Sequence, residues 1–467
     1  MAKTQEKKIQ FHLGMFGAIL PFVVMLVIIV ALVVTGNKSA MNYWTGAFAG
    51  IVVAFLLCKD KHEFNAMMNR ALQDKMFAPL FLTFIFSGIF SKSLTIGGLA
   101  NGILWAATKL GVGPSFFPAA MFLIGCVLSV AMGTSSGTIV AMVPIFLPTA
   151  VALGCSPVVT IGAIVGGAYF GDNLAPISDT TIASAGTQGI SVGECVRTRL
   201  KYSLAAGTIT LIITVILGIT KQAEPMIVAT DAETSAKSLI LILAPALLIF
   251  LVVKGVDLIP SLLVATITSI VLSLVTGLIT LENVYSTEGI VATGTTSMIG
   301  IMMLTTFTFL LNRCITESGA MDLMIEKLAK MAKTPRSTEL LLIAICILII
   351  IMVPSNSTAI VVAAPFAYRM IKAQNMVRTR GSNILDGICV SMSGLIPYGA
   401  GVLTAHTLSI SCGVMPESFG PMDFIPFNIY NIMLICVFVF SAITGWGRQF
   451  TDRSKEDDDA VLDHEAA

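Results

Sequence analysis

Gly133-Thr134-Ser135-Ser136-Gly137-Thr138 and Pro354-Ser355-Asn356-Ser357-Thr358 decide how this chain folds. Each is a polar knot joining two short apolar runs, 116–132 with 138–153 and 338–353 with 358–371. Non-helical backbone at membrane depth survives only where protein or a wet cavity satisfies its polar groups. A polar tripeptide inside an apolar run therefore reads as the tip of a re-entrant hairpin. The two knots are related by one constant shift along the sequence, which lays Thr134-Ser135-Ser136 on Ser355-Asn356-Ser357. The same shift carries Gly98 onto Gly319, Pro114 onto Pro335, Ile139-Val140 onto Ile360-Val361, Pro144 onto Pro365, and Leu174 and Pro176 onto Leu395 and Pro397.

Charge orients the two copies. Lys59, Lys61, Arg70 and Lys75 lie in 59–75, whereas the equivalent 280–296 has no Lys or Arg. Conversely Arg369, Lys372, Arg378 and Arg380 have no basic counterpart in 148–159. Loops rich in Lys and Arg stay cytoplasmic, so equivalent positions are expected on opposite sides. That predicts two inverted-topology repeats, an arrangement typical of secondary transporters with discontinuous helices at the midplane.

Composition agrees. Of 467 residues, 55% are hydrophobic and 12% charged, with mean hydropathy +0.89, against roughly 25% charged in a soluble domain. A net charge of +1 argues against a nucleic-acid partner, and nine scattered cysteines without C-x-x-C suggest neither a disulfide framework nor a zinc site. The apolar stretch from Leu13 to Val34 is too long for a signal-peptide core and reads as a first span. The fold class predicted is an all-α polytopic membrane protein with re-entrant hairpins, broken helices and about 10–12 transmembrane helices. Its parts are a cytoplasmic N-terminus (1–12), a first membrane repeat (13–220), an external linker (221–238), a second repeat (239–447) and a disordered cytoplasmic tail (448–467). Two amphipathic stretches, Gly98–Leu110 and Met321–Lys333, are expected at the interface.

The densest polar motif runs from Gly166 to Thr181, GGAYFGDNLAPISDTT, and is expected to unwind around Gly171 and Pro176. An ionised Asp at the bilayer centre costs about 3 kcal/mol on insertion scales, so one held there needs a cation, a proton or a positive partner. Asp172 and Asp179, with Asn173, the hydroxyls of Ser178, Thr180 and Thr181, and freed carbonyls, offer hard oxygen donors for a small alkali cation. Asp179 has a second reading as cap of the helix beginning near Thr180; Asp172 has no such duty. At the knots, Thr134, Ser135, Ser136, Ser355, Asn356, Ser357 and Thr358 present hydroxyls and carbonyls to Na+, or helix N–H groups to an anion. The alternative is that they merely join neighbouring helices. In the second half Asp172 maps onto Ser393, so the acid is concentrated in the first half. Asp386 is expected at the interface beside the basic 369–380 loop. Ser393, Pro397 and His406 are further cavity candidates, His406 either as a proton relay or as a packing residue. No nucleophile–base pair or H-E-x-x-H motif suggests an enzyme.

Gly171-Asp172-Asn173-Leu174-Ala175-Pro176-Ile177-Ser178-Asp179-Thr180-Thr181 resembles the signature of the NhaC-type sodium/proton antiporter family. Ser355-Asn356-Ser357 also resembles the Ser-Asn-Thr hairpin motif of the wider ion-transporter superfamily, with Ser357 in place of Thr. The resemblance implies sodium sites near the tips and coupling to protons or an organic solute through the motif carboxylates. It also implies a homodimer in the bacterial inner membrane, with no cofactor beyond Na+ as coupling ion. The resulting expectation is a Na+/H+ antiporter, with Asp172 as the alternating carboxylate. The rival is a Na+-coupled carrier of a small carboxylate or amino acid.

Overall fold

The computed structural model describes residues 9–451, apart from 38, 40, 75–76, 111–113, 224–231, 322, 324–325 and 327–331. Most of the expected tail, the middle of the expected linker, the start of the expected N-terminal segment and most of the Met321–Lys333 stretch therefore lie outside the described residues. The other amphipathic stretch forms a helix, Leu99–Leu110.

After an apolar first helix, Gly14–Val34, two matching sets of helices carry the architecture. The first set is α1 (Tyr43–Leu57), α2 (Phe77–Ile96), α3 (Phe117–Met132), α4 (Ser135–Ala152), α5 (Pro157–Leu174), α6 (Asp179–Thr187) and α7 (Val192–Thr220). The second is α8 (Leu258–Val275), α9 (Ile299–Ser318), α10 (Pro335–Met352), α11 (Asn356–Ala373), α12 (Arg378–Ser393), α13 (Ala400–Ser411) and α14 (Ile429–Thr444). Helices α4, α5 and α6 begin at Ser135, Pro157 and Asp179. The shift that relates the knots takes these positions to Asn356, Arg378 and Ala400, where α11, α12 and α13 begin. The repeat seen in a few prolines and polar residues is thus a repeat of helical elements.

Packing between the sets is reciprocal. Helix α2 packs on α8, and their equivalents α9 and α1 pack on each other. The same exchange holds for α4 with α13 and α11 with α6, and for α7 with α12 and α14 with α5. Such swapped contacts describe two like halves interlocked about an approximate two-fold relation.

The protein is a polytopic helical membrane protein. Among the described residues nine helices are long and apolar enough to cross a membrane, or ten if Pro421–Phe427 and Ile429–Thr444, bent by 56°, form one span. Helices α1 and α3 are shorter and apolar. Outer helices such as α7 expose Ile209, Ile212, Ile216 and Ile219, a surface suited to lipid, whose tails are as apolar as these side chains. By contrast, α5 is buried from Val159 to Leu174 except at Phe170, and α12 from Thr379 to Ser393 except at Met392. These two elements form the centre of the molecule.

Glycine lets the centre close up. A β-carbon at Gly171 would lie 2.4 Å from the Ser129 β-carbon and 2.6 Å from the Val130 nitrogen, so α5 crosses α3 with almost no side-chain space between backbones. That contact also corrects one expectation: α5 stays helical through Gly171, Asp172 and Asn173, and the break falls at Ala175–Ser178, around Pro176. Proline lacks an amide donor and clashes with the preceding turn, which explains why the helix stops there and not at the glycine.

Candidate functional site

The two knots become the linkers of two helical hairpins. Gly133 and Thr134 join α3 to α4, and Val353, Pro354 and Ser355 join α10 to α11. Gly133 takes φ +69, a left-handed conformation that glycine adopts without a side-chain penalty. Thr134 and Ser355 occupy the N-cap positions of α4 and α11 in extended backbone, and neither side chain caps its helix. Instead, Ser355 Oγ lies 3.0 Å from Thr358 Oγ1.

Both linkers face one cavity of about 210 Å³. Thr134, Ser135 and Ser136 line it from the first half and Ser355, Asn356 and Ser357 from the second; Asp172, Asp179, Thr180 and Ser393 complete the polar wall. Residues far apart in sequence, from both halves, are thus gathered at one place. The remaining wall includes Tyr169, Tyr398 and Phe309, and Thr305 and Thr308 from α9.

Asp172 belongs to the last turn of α5 and is 4% exposed. The buried Ser178 hydroxyl donates to its Oδ1 at 2.7 Å and lies 2.9 Å from Thr180 Oγ1, so the break folds back to hold the carboxylate it follows. The Ser135 hydroxyl also bears on Asp172, bringing the first tip into the same cluster. Asp179 is exposed and is the first residue of α6, where Ser178 is the N-cap. The Asp179 carboxylate accepts the Ser357 hydroxyl at 2.5 Å, across the cavity from the second half. The two carboxylates therefore differ in kind, one enclosed and one bridging to the opposite tip.

Alternate residues of the motif face away from the cavity. Asn173 and Thr181 are buried against an ion pair between Arg199 of α7 and Asp386 of α12, both fully buried. Arg199 Nη1 donates to the Asn173 carbonyl at 2.8 Å, and Thr181 Oγ1 donates to Asp386 Oδ2 at 3.3 Å. Asp386 is therefore not interfacial, as its proximity to a basic loop suggested. Pairing with an arginine, together with hydroxyl donors from Thr181 and Ser184, lets its charge persist inside the protein. The one sign available in the sequence was that an acid and a base each sit within or beside an apolar run, in opposite halves.

His406 and Pro397 are not among the residues that line the cavity. His406 is 3% exposed; its Nε2 lies 2.9 Å from the Phe419 carbonyl oxygen and its ring stacks on Phe419. That is the packing alternative. Ser393 does line the cavity, 3.3 Å from the Tyr169 hydroxyl. Tyr169 and Tyr398, not singled out by sequence, enter because they flank Asp172 and Pro397 in the two equivalent motifs. Glu317, another charge in an apolar run, pairs with Arg70 and Arg313. No cluster of three or more His, Cys, Asp or Glu suited to a metal ion occurs among the described residues.

Comparison with known proteins adds an independent line. Residues 9–219 match the family model described as the Na+/H+ antiporter family. The chain is 29% identical over 166 residues to the Na(+)/H(+) antiporter NhaC of Alkalihalophilus pseudofirmus, covering 34% of this chain and 36% of that one. It is 34% identical over 122 residues to the malate-2H(+)/Na(+)-lactate antiporter of Bacillus subtilis, covering 26% of each. A longer match, 23% identical over 333 residues, covers 66% of this chain and 72% of the Na(+)/H(+) antiporter NhaC of Bacillus subtilis. The first two matches thus span only about a third and about a quarter of those relatives' own lengths.

Proposed function

We propose that this chain is an antiporter of the NhaC type, a reading supported by the family match over residues 9–219 and by its NhaC relatives, and that it exchanges Na+ for H+ across the bacterial inner membrane, with Asp172 as the exchanged site. The observation that carries the proposal is the convergence of Asp172, Asp179 and both hairpin linkers on one cavity. An enclosed carboxylate in a low-dielectric setting is costly as a bare anion, so it holds either a proton or a cation. Two occupants competing for one site, reached from each side in turn, are the minimum machinery of exchange. Ser178 and Ser135 orient the Asp172 oxygens, and tip carbonyls and hydroxyls complete a sodium shell. Asp179 would join the shell when its hold on Ser357 relaxes.

The two-fold packing supports alternating access: if the axis lies in the membrane plane, as the distribution of Lys and Arg indicates, the halves are inverted and the hairpins re-entrant. Purified protein in liposomes carrying a pH dye tests the exchange directly. A Na+ gradient imposed without any organic solute should move protons, and Asp172→Asn should abolish the signal; exchange by that variant at the native rate would reject the site.

A second reading has its own support. The cavity, at about 210 Å³, is far above the roughly 10–15 Å³ needed to hold one water, and aromatic and helix-terminal groups line it. Such a space suits a small organic acid or amino acid carried with Na+, and one similar protein is a malate-2H(+)/Na(+)-lactate antiporter. Proton movement that appears only when an organic acid or amino acid is supplied would establish this carrier in place of simple exchange.

A further inference from the structure

The motif presents opposite faces to two different centres. Asp172 and Thr180 line the cavity, whereas the residues that immediately follow them, Asn173 and Thr181, are gripped by Arg199 and Asp386. Arg199 also donates through Nη2 to Ser184 Oγ at 3.2 Å and Cys195 Sγ at 2.7 Å. Its guanidinium thus reaches the end of α5, the side of α6 and its own helix, while Asp386 anchors it to α12 of the other half.

This placement has a local physical logic. Breaking a helix at Ala175 orphans the last carbonyls of α5; the Ala175 amide takes that of Gly171 at 2.8 Å, and Arg199 takes that of Asn173. The negative end of a helix also favours a cation. Arginine suits the task because its planar fork fixes several donors in one geometry. The ion pair is asymmetric with respect to the repeat: the position equivalent to Arg199 is Gly420, and the position equivalent to Asp386 is Val165. It is therefore an addition to the duplicated scaffold, installed only behind the half that carries the acid. Among the described residues, Arg199 Nε and Asp386 Oδ1 have no hydrogen-bond partner, which leaves the pair donor and acceptor capacity beyond what the present arrangement uses.

We propose that Arg199 and Asp386 are positioning residues for cation binding at Asp172: they hold the break so that Ser178, backed by Thr180, stays on the carboxylate, and thereby set Na+ affinity. The proposal rests on the sodium-exchange reading above. Purified protein is titrated with NaCl, with choline chloride as ionic-strength control, and thermal stabilisation gives the half-saturating Na+ concentration; the same samples are assayed for proton exchange in liposomes. Arg199→Lys, which keeps the charge and loses the fork, and Asp386→Asn should each raise half-saturating Na+ by about tenfold or more in monodisperse protein. Should Asp386→Asn not fold, the double variant Arg199→Gln/Asp386→Asn removes both buried charges and should fold while still binding Na+ weakly. Native Na+ affinity in folded Arg199→Lys or in the double variant overturns the proposal. A native protein that Na+ stabilises but that moves no protons overturns the exchange reading instead, and leaves the affinity comparison for the ion pair in force.

Discussion

The break after helix α5 is flanked by Asp172 and Asp179 and carries Ser178, whereas the break after α12, its equivalent in the second half, follows Ser393 and carries Tyr398 with no carboxylate beside it. Both helices are buried almost throughout, and residues at both breaks line the cavity. The scaffold is shared, and the charge is not. The difference teaches that a repeated helical frame encloses the cavity, within which only the first half supplies carboxylates while the second supplies wall and hydroxyls.

Substitutions can break this comparison or sharpen it. The largest effect on transport is expected from Asp172→Asn, which should reduce Na+-driven proton movement in liposomes by about 100-fold or more. Next comes a buried charge remote from the cavity. Glu339 accepts both Arg380 and Arg448, with four contacts of 2.8–2.9 Å. Breaking a buried ion pair costs about 3–5 kcal/mol, so Glu339→Gln should lower the melting temperature clearly, yet leave half-saturating Na+ unchanged in the folded fraction. A shift in Na+ affinity there would erase the distinction between charges that hold the fold and charges that hold the ion. Ser178→Ala removes one hydrogen bond to a charged acceptor, worth about 1.5–3 kcal/mol, and should weaken Na+ binding by about 10- to 100-fold, read by the same titration. The smallest effect belongs to the acid's counterpart: Ser393→Ala should change the Na+ dependence of exchange by less than about twofold, because its hydroxyl bonds the Tyr169 hydroxyl and the Val390 carbonyl and no carboxylate. An effect of Ser393→Ala equal to that of Asp172→Asn would make the halves chemically equivalent after all.

Much of the frame was legible in the chain because its signals are local. Apolar runs mark helices, prolines mark their starts and breaks, and Ser355-Asn356-Ser357 stands out between two such runs. Local reasoning erred where two breakers competed: Gly171 looked like the unwinding point, but its missing side chain serves the crossing with α3, and the break belongs to Pro176. The wall of the cavity was half visible. Asp172, Ser135 and Asn356 could be named from polarity at membrane depth, whereas Thr305, Thr308 and Phe309 are ordinary residues of an apolar helix until the fold brings α9 to the tips. Arg199 and Asp386 were out of reach for a different reason. They lie 187 positions apart, and a buried charge can be recognised only together with the partner that permits it. His406 shows the converse: an ionisable ring in an apolar helix packs on one aromatic neighbour with one ring nitrogen beside a carbonyl, away from the cavity.

Ile177, in the break behind Asp172, leans on the first tip: a β-carbon at position 133 would stand 2.5 Å from its Cγ1. Tip and break therefore mesh like two gear teeth with almost no clearance between them. A single methyl group at residue 133 would be a wedge between the teeth, forcing either the tip or the break out of its seat.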